Sequence, residues 1–211
     1  MKLLDAKRDH YRKLAKEQGF RSRASYKLLE LNNSYRIIGP GFNVVDLGCA
    51  PGGWLQVAVK LAGNKGKVVG VDTAYMDDVP GAHYIKGSVD DQAIADEILE
   101  YLGTQANAVI CDISPQITGH WSMDHARQIS LNYSCSKIMD RILAPKGNAL
   151  FKVFDGEYSM EFRDYLQKKF VKVQLRKPNA SRKPSSEMYH AERSEERRVG
   201  KECRSRWSPY H

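Results

Sequence analysis

The string with the most chemical content is Asp46-Leu47-Gly48-Cys49-Ala50-Pro51-Gly52-Gly53-Trp54, which follows an apolar run and opens a helix-like segment. A glycine-rich turn at the carboxyl end of a parallel strand is a ligand position in α/β sheets. Gly48, Gly52 and Gly53 would let the backbone approach a cofactor closely. The string is not G-x-G-x-x-G, and no Lys-Ser/Thr follows as in a phosphate-binding loop, so neither pyrophosphate nor triphosphate is the expected main ligand. Asp72 closes the next apolar run. An acid there can accept both ribose hydroxyls of a nucleoside, the plainer alternative being a helix N-cap. Asp46 would fix the glycine loop or the amino-acid end of a cofactor.

These residues need a sheet to hold them. Apolar runs at 43–47, 67–72, 83–86, 108–112, 148–154 and 171–176 read as strands, with a last strand beginning near Glu187. Helical patterns fall between them at 54–61, 91–102, 123–143 and 159–170, the third ended by Pro145 and Gly147. Two helices precede the first strand, at 5–18 and 21–31. The alternation predicts a Rossmann-like α/β fold with a mostly parallel, doubly wound sheet. Residues 1–192 read as a single domain in which residues 1–35 form basic helices.

Five segments carry a family resemblance. They are Arg21-Ser-Arg-Ala-Ser-Tyr-Lys27-Leu28, Asp46 to Trp54, Cys111-Asp112-Ile-Ser-Pro115, Phe151-Lys152-Val-Phe154 and Ser185-Ser186-Glu187-Met-Tyr189. In this order they resemble the motifs of the FtsJ/RrmJ ribose 2′-O-methyltransferases, over residues 5 to about 190. The resemblance implies S-adenosyl-L-methionine as cofactor and a seven-stranded sheet whose last strand is antiparallel. It also implies a Lys-Asp-Lys-Glu catalytic tetrad at Lys27, Asp112, Lys152 and Glu187. Lys152 would activate the ribose 2′-hydroxyl for in-line methyl transfer. A lysine must lose its proton to act as a base, and burial or a nearby positive charge, here Lys27, favours that loss. Asp112 would orient Lys152 and face the sulfonium, and Glu187 would hold Lys27 or the ribose. No metal is required. The short length resembles enzymes acting on a uridine in the A-loop of large-subunit ribosomal RNA; tRNA or another RNA is the alternative, and a non-catalytic RNA-binding homologue a weaker one.

The sequence departs from the family where an acid often follows the third strand to contact adenine. Ser88 and Val89 stand there, with Asp90 two residues beyond Ser88. The remaining cofactor contacts are expected from the nine-residue string, Asp72 and Asp112. RNA is expected to meet Arg8, Arg12, Lys16, Arg21, Arg23 and Arg182 through phosphate contacts. Tyr11, Phe20 and Tyr26 among them are more in keeping with packing than with base stacking.

Composition sets the outer bounds. At 211 residues and 42% hydrophobic, the chain can bury one sizeable core. The formal net charge of +8 favours an anionic partner. The four cysteines, Cys49, Cys111, Cys135 and Cys203, show neither metal-binding nor disulfide spacing. No apolar run suits a membrane span or signal peptide, so a cytoplasmic monomer working on ribosomal RNA or the large subunit is expected. Residues 193–211 resemble a translated short-read sequencing adapter and are expected to be non-native and disordered. They hold six Arg/Lys and three Glu, so +5 of the charge remains without them. The natural sequence is expected to stop near residues 190–192, which would cut the last strand short and weaken the sheet.

Overall fold

The structure is a computed structural model and describes residues 3–181 and 185–193; of residues 3–9 and 193 only the backbone is described. Seven strands form one sheet in the order β3-β2-β1-β4-β5-β7-β6. The central strands β1 (Val44–Leu47), β2 (Val68–Asp72), β3 (His83–Lys86), β4 (Ala106–Cys111) and β5 (Leu143–Phe154) run parallel. The chain then passes to the edge strand β6 (Lys172–Arg176) and returns as β7 (Glu187–Arg193), antiparallel between β5 and β6. The strand order reverses between β1 and β4, and ligands bind at such switch points, outside the carboxyl ends of the strands.

Both faces of the sheet are covered, which explains why the central strands are near-continuous apolar runs. One face packs Leu47, Val71, Val109, Phe151 and Val153 against α4 (Ile94–Leu102), α5 (Trp121–Ile142) and α6 (Ser159–Gln167). The other packs Val44, Val68, Ile110, Leu150 and Tyr189 against α2 (Ser25–Tyr35) and α3 (Gly53–Ala62). Helix α1 (Leu3–Glu17) lies outside α2, where Tyr11 and Phe20 pack on Tyr26 at 5.5 and 5.7 Å between ring centroids.

Several boundaries differ from the sequence reading, among them the start of β5 at Leu143 rather than near residue 148 and two that border the site. Helix α2 begins at Ser25 rather than near Arg21, because residues 21–24 turn to contact α3: the Arg21 amide donates to Gln56 Oε1 and the Ser25 hydroxyl to the Gly53 carbonyl. Strand β7, expected to be cut short near residues 190–192, reaches Arg193. It stays paired with β5 to Glu192 and with β6 to Arg193. Its cost is chemical instead: His190 and Glu192 are fully buried on the face toward α6, and neither the ring nitrogens nor the carboxylate oxygens find a hydrogen-bond partner. Burial, aided by Arg163, lowers the His190 imidazole to about 4, and burial pushes the Glu192 carboxyl well up. Beyond Arg193 the expected disordered tail lies outside the described residues.

No helix among the described residues is long and apolar enough to cross a membrane.

Candidate active site

The carboxyl ends of β1, β2, β4 and β5 deliver Asp46, Asp72, Asp112 and Lys152 to one edge of the sheet. The turn after β1 is drawn tight. Gly48 has φ +81°, and a Cβ there would lie 2.7 Å from the Ile113 backbone. A Cβ on Gly53 would lie 2.3 Å from Ser22 Oγ. Asp72 holds the turn from below: Oδ2 accepts the Ala50 amide and Oδ1 the Ala74 amide, each at 2.9 Å. Each oxygen keeps a lone pair, the requirement for receiving a pair of ribose hydroxyls.

Asp46 is the unusual group. Its carboxylate is fully buried, and neither oxygen has a hydrogen-bond partner. Burial first, then the negative charges of Asp112 and Asp72, push its carboxyl well above the usual range. A buried acid among acids calls for a cationic donor. The ammonium and sulfonium of S-adenosyl-L-methionine are such cations, and Asp72 and the glycine turn suit its nucleoside. The residues present therefore fit that cofactor.

Not every residue of the string faces a ligand. Cys49 is buried against Met76, 3.8 Å from its sulfur, and burial pushes the thiol up, so it is inert. Trp54 is buried, donates its indole N–H to the Ala24 carbonyl at 2.8 Å and packs on Tyr189. Ala50 and Pro51 supply backbone. Val89 sends its side chain into the core. The Ser88 hydroxyl accepts the Asp90 amide at 3.2 Å, which makes it part of a local turn.

The four tetrad residues come together, joined by a fifth that the sequence reading did not assign. Lys27 Nζ donates to Glu187 Oε2 at 2.6 Å and to the Tyr189 hydroxyl at 3.2 Å. Tyr189 donates in turn to Asp112 Oδ1 at 3.1 Å. Lys152 Nζ lies 3.3 Å from that same oxygen and donates to the Asp112 carbonyl at 2.7 Å. The contacts run Glu187–Lys27–Tyr189–Asp112–Lys152. Lys27 therefore pairs with Glu187, and its link to Lys152 passes through Tyr189 and Asp112. Burial pushes the Glu187 carboxyl up, but the charge and hydrogen bond of Lys27, with the charge of Lys152, prevail and hold it below the usual range. Tyr189, buried beside two carboxylates, stays a phenol.

Helix α5 fixes this arrangement from the far face. Gln128 and Asn132, both buried, each donate at 2.8 Å to the Lys152 carbonyl. One turn earlier Asp124 accepts Thr118 N, Thr118 Oγ1 and Gly119 N, ordering the loop after Asp112. Those bonds, the Thr118 amide foremost, hold the Asp124 carboxyl low. Glu30 on α2 accepts the amides of Asn179 and Ala180 and the side chain of Asn179, tying the segment before β7 to the helix that carries Lys27.

The expected RNA contacts divide. Arg12, Lys16 and Arg23 line a cavity of about 440 Å³ with Phe20 and Ser22, beside the site. Arg21 borders it too, but its guanidinium turns to backbone carbonyls: Nη1 donates to Pro51 at 3.2 Å and Asp77 at 2.5 Å, and Nη2 to Asp78 at 2.6 Å. In this arrangement Arg21 closes the glycine turn against the loop after β2. Arg8 has no described side chain, and Arg182 lies outside the described residues.

Known proteins resemble this chain in sequence and in fold. Residues 20–194 match the FtsJ-like methyltransferase family model. A Nitrosopumilus maritimus protein named ribosomal RNA large subunit methyltransferase E is 66% identical over 190 residues, covering 90% of this chain and 96% of that one. Its namesake from Cenarchaeum symbiosum is 61% identical over 189 residues, covering 90% and 96%. A Plasmodium falciparum crystal structure described as a ribosomal RNA methyltransferase superposes with a TM-score of 0.75 at 27% identity, covering 83% of this chain and 98% of that one.

Proposed function

Because this chain belongs to the FtsJ-like methyltransferase family, we propose that it transfers a methyl group from S-adenosyl-L-methionine to a ribose 2′-oxygen of large-subunit ribosomal RNA, with a uridine of the A-loop as the nucleotide modified. The observation that carries this reading is the buried contact chain from Glu187 to Lys152, set beside an orphaned Asp46 and a ribose-ready Asp72. The names of the similar proteins from Nitrosopumilus maritimus and Cenarchaeum symbiosum supply the RNA class.

The cofactor supplies a methyl group already activated by its positive sulfur, so neither a metal nor a covalent enzyme intermediate is needed. Asp46 takes the cationic end and Asp72 the ribose hydroxyls, while the glycine turn sets the depth. Lys152 Nζ, held 3.3 Å from the Asp112 carboxylate, would meet the substrate 2′-hydroxyl and draw its proton as the oxygen attacks. Lys27, neutralised by Glu187, keeps Asp112 in place through Tyr189. Most of the acceleration would come from the positioning of the 2′-hydroxyl by these residues.

The test is transfer from S-adenosyl-L-methionine to unmodified large ribosomal subunits, with tRNA as a parallel substrate and the modified nucleotide mapped. Ribose methylation of the large subunit, lost in Lys152→Ala while cofactor affinity persists, is the expected result. Methylation of a base, of tRNA alone, or an unimpaired Lys152→Ala protein would overturn it.

A further inference from the structure

On the α5–α6 face of the sheet, at the same carboxyl edge, three rings form a column. Trp121, the first residue of α5, stacks on His125 at 5.8 Å and 13° between planes. His125 stacks on Tyr158, just before α6, at 5.6 Å and 14°. Trp121 also leans on Phe154, two residues beyond Lys152, at 5.8 Å. His125 is buried and accepts the Tyr158 amide at Nε2, which locks the middle of the column. The two outer rings are left to solvent: Trp121 is 49% exposed and Tyr158 39%.

Exposed aromatic residues scattered singly need no explanation. This pair differs in two respects. It is pre-ordered by a buried ring, so little freedom is lost when a further ring is added. It also sits where α5 and α6 leave the ends of the strands that carry Asp112 and Lys152. We infer that Trp121, supported by His125 and Tyr158, is a stacking platform for an unpaired nucleobase of the RNA, next to the ribose being methylated. The inference rests on the RNA substrate proposed above.

Charge favours a base over a phosphate. Asp155 and Glu157 are exposed in the turn beside the column and act electrostatically on His125. Burial foremost keeps that imidazole below its ordinary value, so the column is uncharged near neutrality. The cationic cavity of Arg12, Lys16 and Arg23 lies on the α1–α2 side. A strand crossing the site would thus lay phosphates on one flank and a base on the other. Aromatic stacking of this kind tolerates every base and contributes about a five- to hundredfold gain in affinity per base.

The test compares the whole chain with its Trp121→Ala and Trp121→Phe variants. Fluorescence anisotropy reads binding of a labelled single-stranded oligouridylate and of an abasic ribose phosphate oligomer of equal length and charge. Wild type should prefer the oligouridylate about tenfold. Trp121→Ala should lose that preference, and Trp121→Phe should keep it. S-adenosyl-L-methionine affinity by calorimetry should be unchanged in both variants. An undiminished preference in Trp121→Ala overturns the inference, as does an equal loss of both oligomers. Normal oligomer binding with weakened binding to intact large subunits would assign the ring to a ribosomal protein and also overturn it. Because these arms read binding, a wild type that binds bases at Trp121 yet methylates no ribosomal ribose would sink the proposed reaction and leave the platform standing.

Discussion

The Tyr189 hydroxyl donates to the Asp112 carboxylate across 3.1 Å and, with the bond it accepts from Lys27, joins the two charged pairs of the site. The contact reaches from the antiparallel strand β7 to the loop after the parallel strand β4, so the inserted strand completes the charged edge of the candidate site. Removing the hydroxyl would leave Lys27 on Glu187 alone, cut off from Asp112, and free the Asp112 carboxylate to rotate. Tyr189→Phe keeps the ring on Trp54 and should fold. Its kcat is expected to fall at least tenfold with the cofactor Kd unchanged, and its stability by about 1–3 kcal/mol for the lost buried partner. Single-turnover kinetics and calorimetry check both. A Tyr189→Phe enzyme with normal kcat would reduce the bond to packing.

Glu187 makes the site sensitive to acid. Its folded carboxyl lies below the ordinary glutamate value. The Lys27 pair therefore contributes stability that is present above the unfolded value of about 4.3 and lost as pH falls through the lower folded value. Glu187→Gln should make Tm less steeply dependent on pH on the acid side and, near neutrality, reduce kcat by one to two orders of magnitude. A variant that keeps the wild-type slope of Tm against pH would show that another carboxylate is responsible.

Much of this arrangement was legible because strand ends and glycine turns are local features. The runs at 43–47 and 67–72 place Asp46 and Asp72 without any distant contact. In the structure Lys27 meets Glu187 and Asp112 meets Lys152. What stayed hidden depends on partners far along the chain. Tyr189 stood inside a recognised motif, yet an aromatic residue in a strand reads equally well as core. Arg21 read as a phosphate contact because nothing local reveals carbonyls at residues 51, 77 and 78. One signal was present and unused: Asp124, Gln128, Asn132 and Ser136 recur every four residues on the buried face of α5. A polar stripe on the core side of a helix requires internal partners.

Two members of that stripe, Gln128 and Asn132, should act on catalysis without touching substrate, since both hold the Lys152 carbonyl. Asn132→Leu is expected to lower kcat several-fold, leave the KM for the large subunit nearly unchanged, and cost about 1–3 kcal/mol of stability. The double variant with Gln128→Leu should be less than additive, because the two share one acceptor. Fully additive losses in kcat would mean that they act separately.

Arg21 can be separated from its cationic neighbours by which constant moves. Its bonds to Pro51, Asp77 and Asp78 close the cofactor turn. Arg21→Ala should therefore raise the Kd for S-adenosyl-L-methionine about tenfold or more. Arg12→Ala and Lys16→Ala should raise only the KM for RNA and reduce its salt dependence. If Arg21→Ala behaves like the other two, its guanidinium serves phosphate after all.

Two buried ionisable groups of β7, His190 and Glu192, tilt the stability profile in opposite directions. Glu192 has a folded value well above its unfolded one, so the folded state takes up a proton and stability falls as pH rises through the window above about 4.5. His190 falls from 6.5 to about 4 on folding, so its contribution is full above 6.5 and is lost as pH drops toward 4. Where both titrate, the two slopes oppose. Glu192→Ile removes an unpartnered buried carboxyl from a strand position facing α6. It should stabilise the chain by at least about 1 kcal/mol, or about 2–4 °C in Tm at this size, with a larger gain at pH 8 than at pH 5. His190→Val should instead flatten the acid limb. Thermal unfolding of both variants across this range decides the matter, and a Glu192→Ile protein no more stable at pH 8 than wild type would mean that the carboxylate reaches solvent.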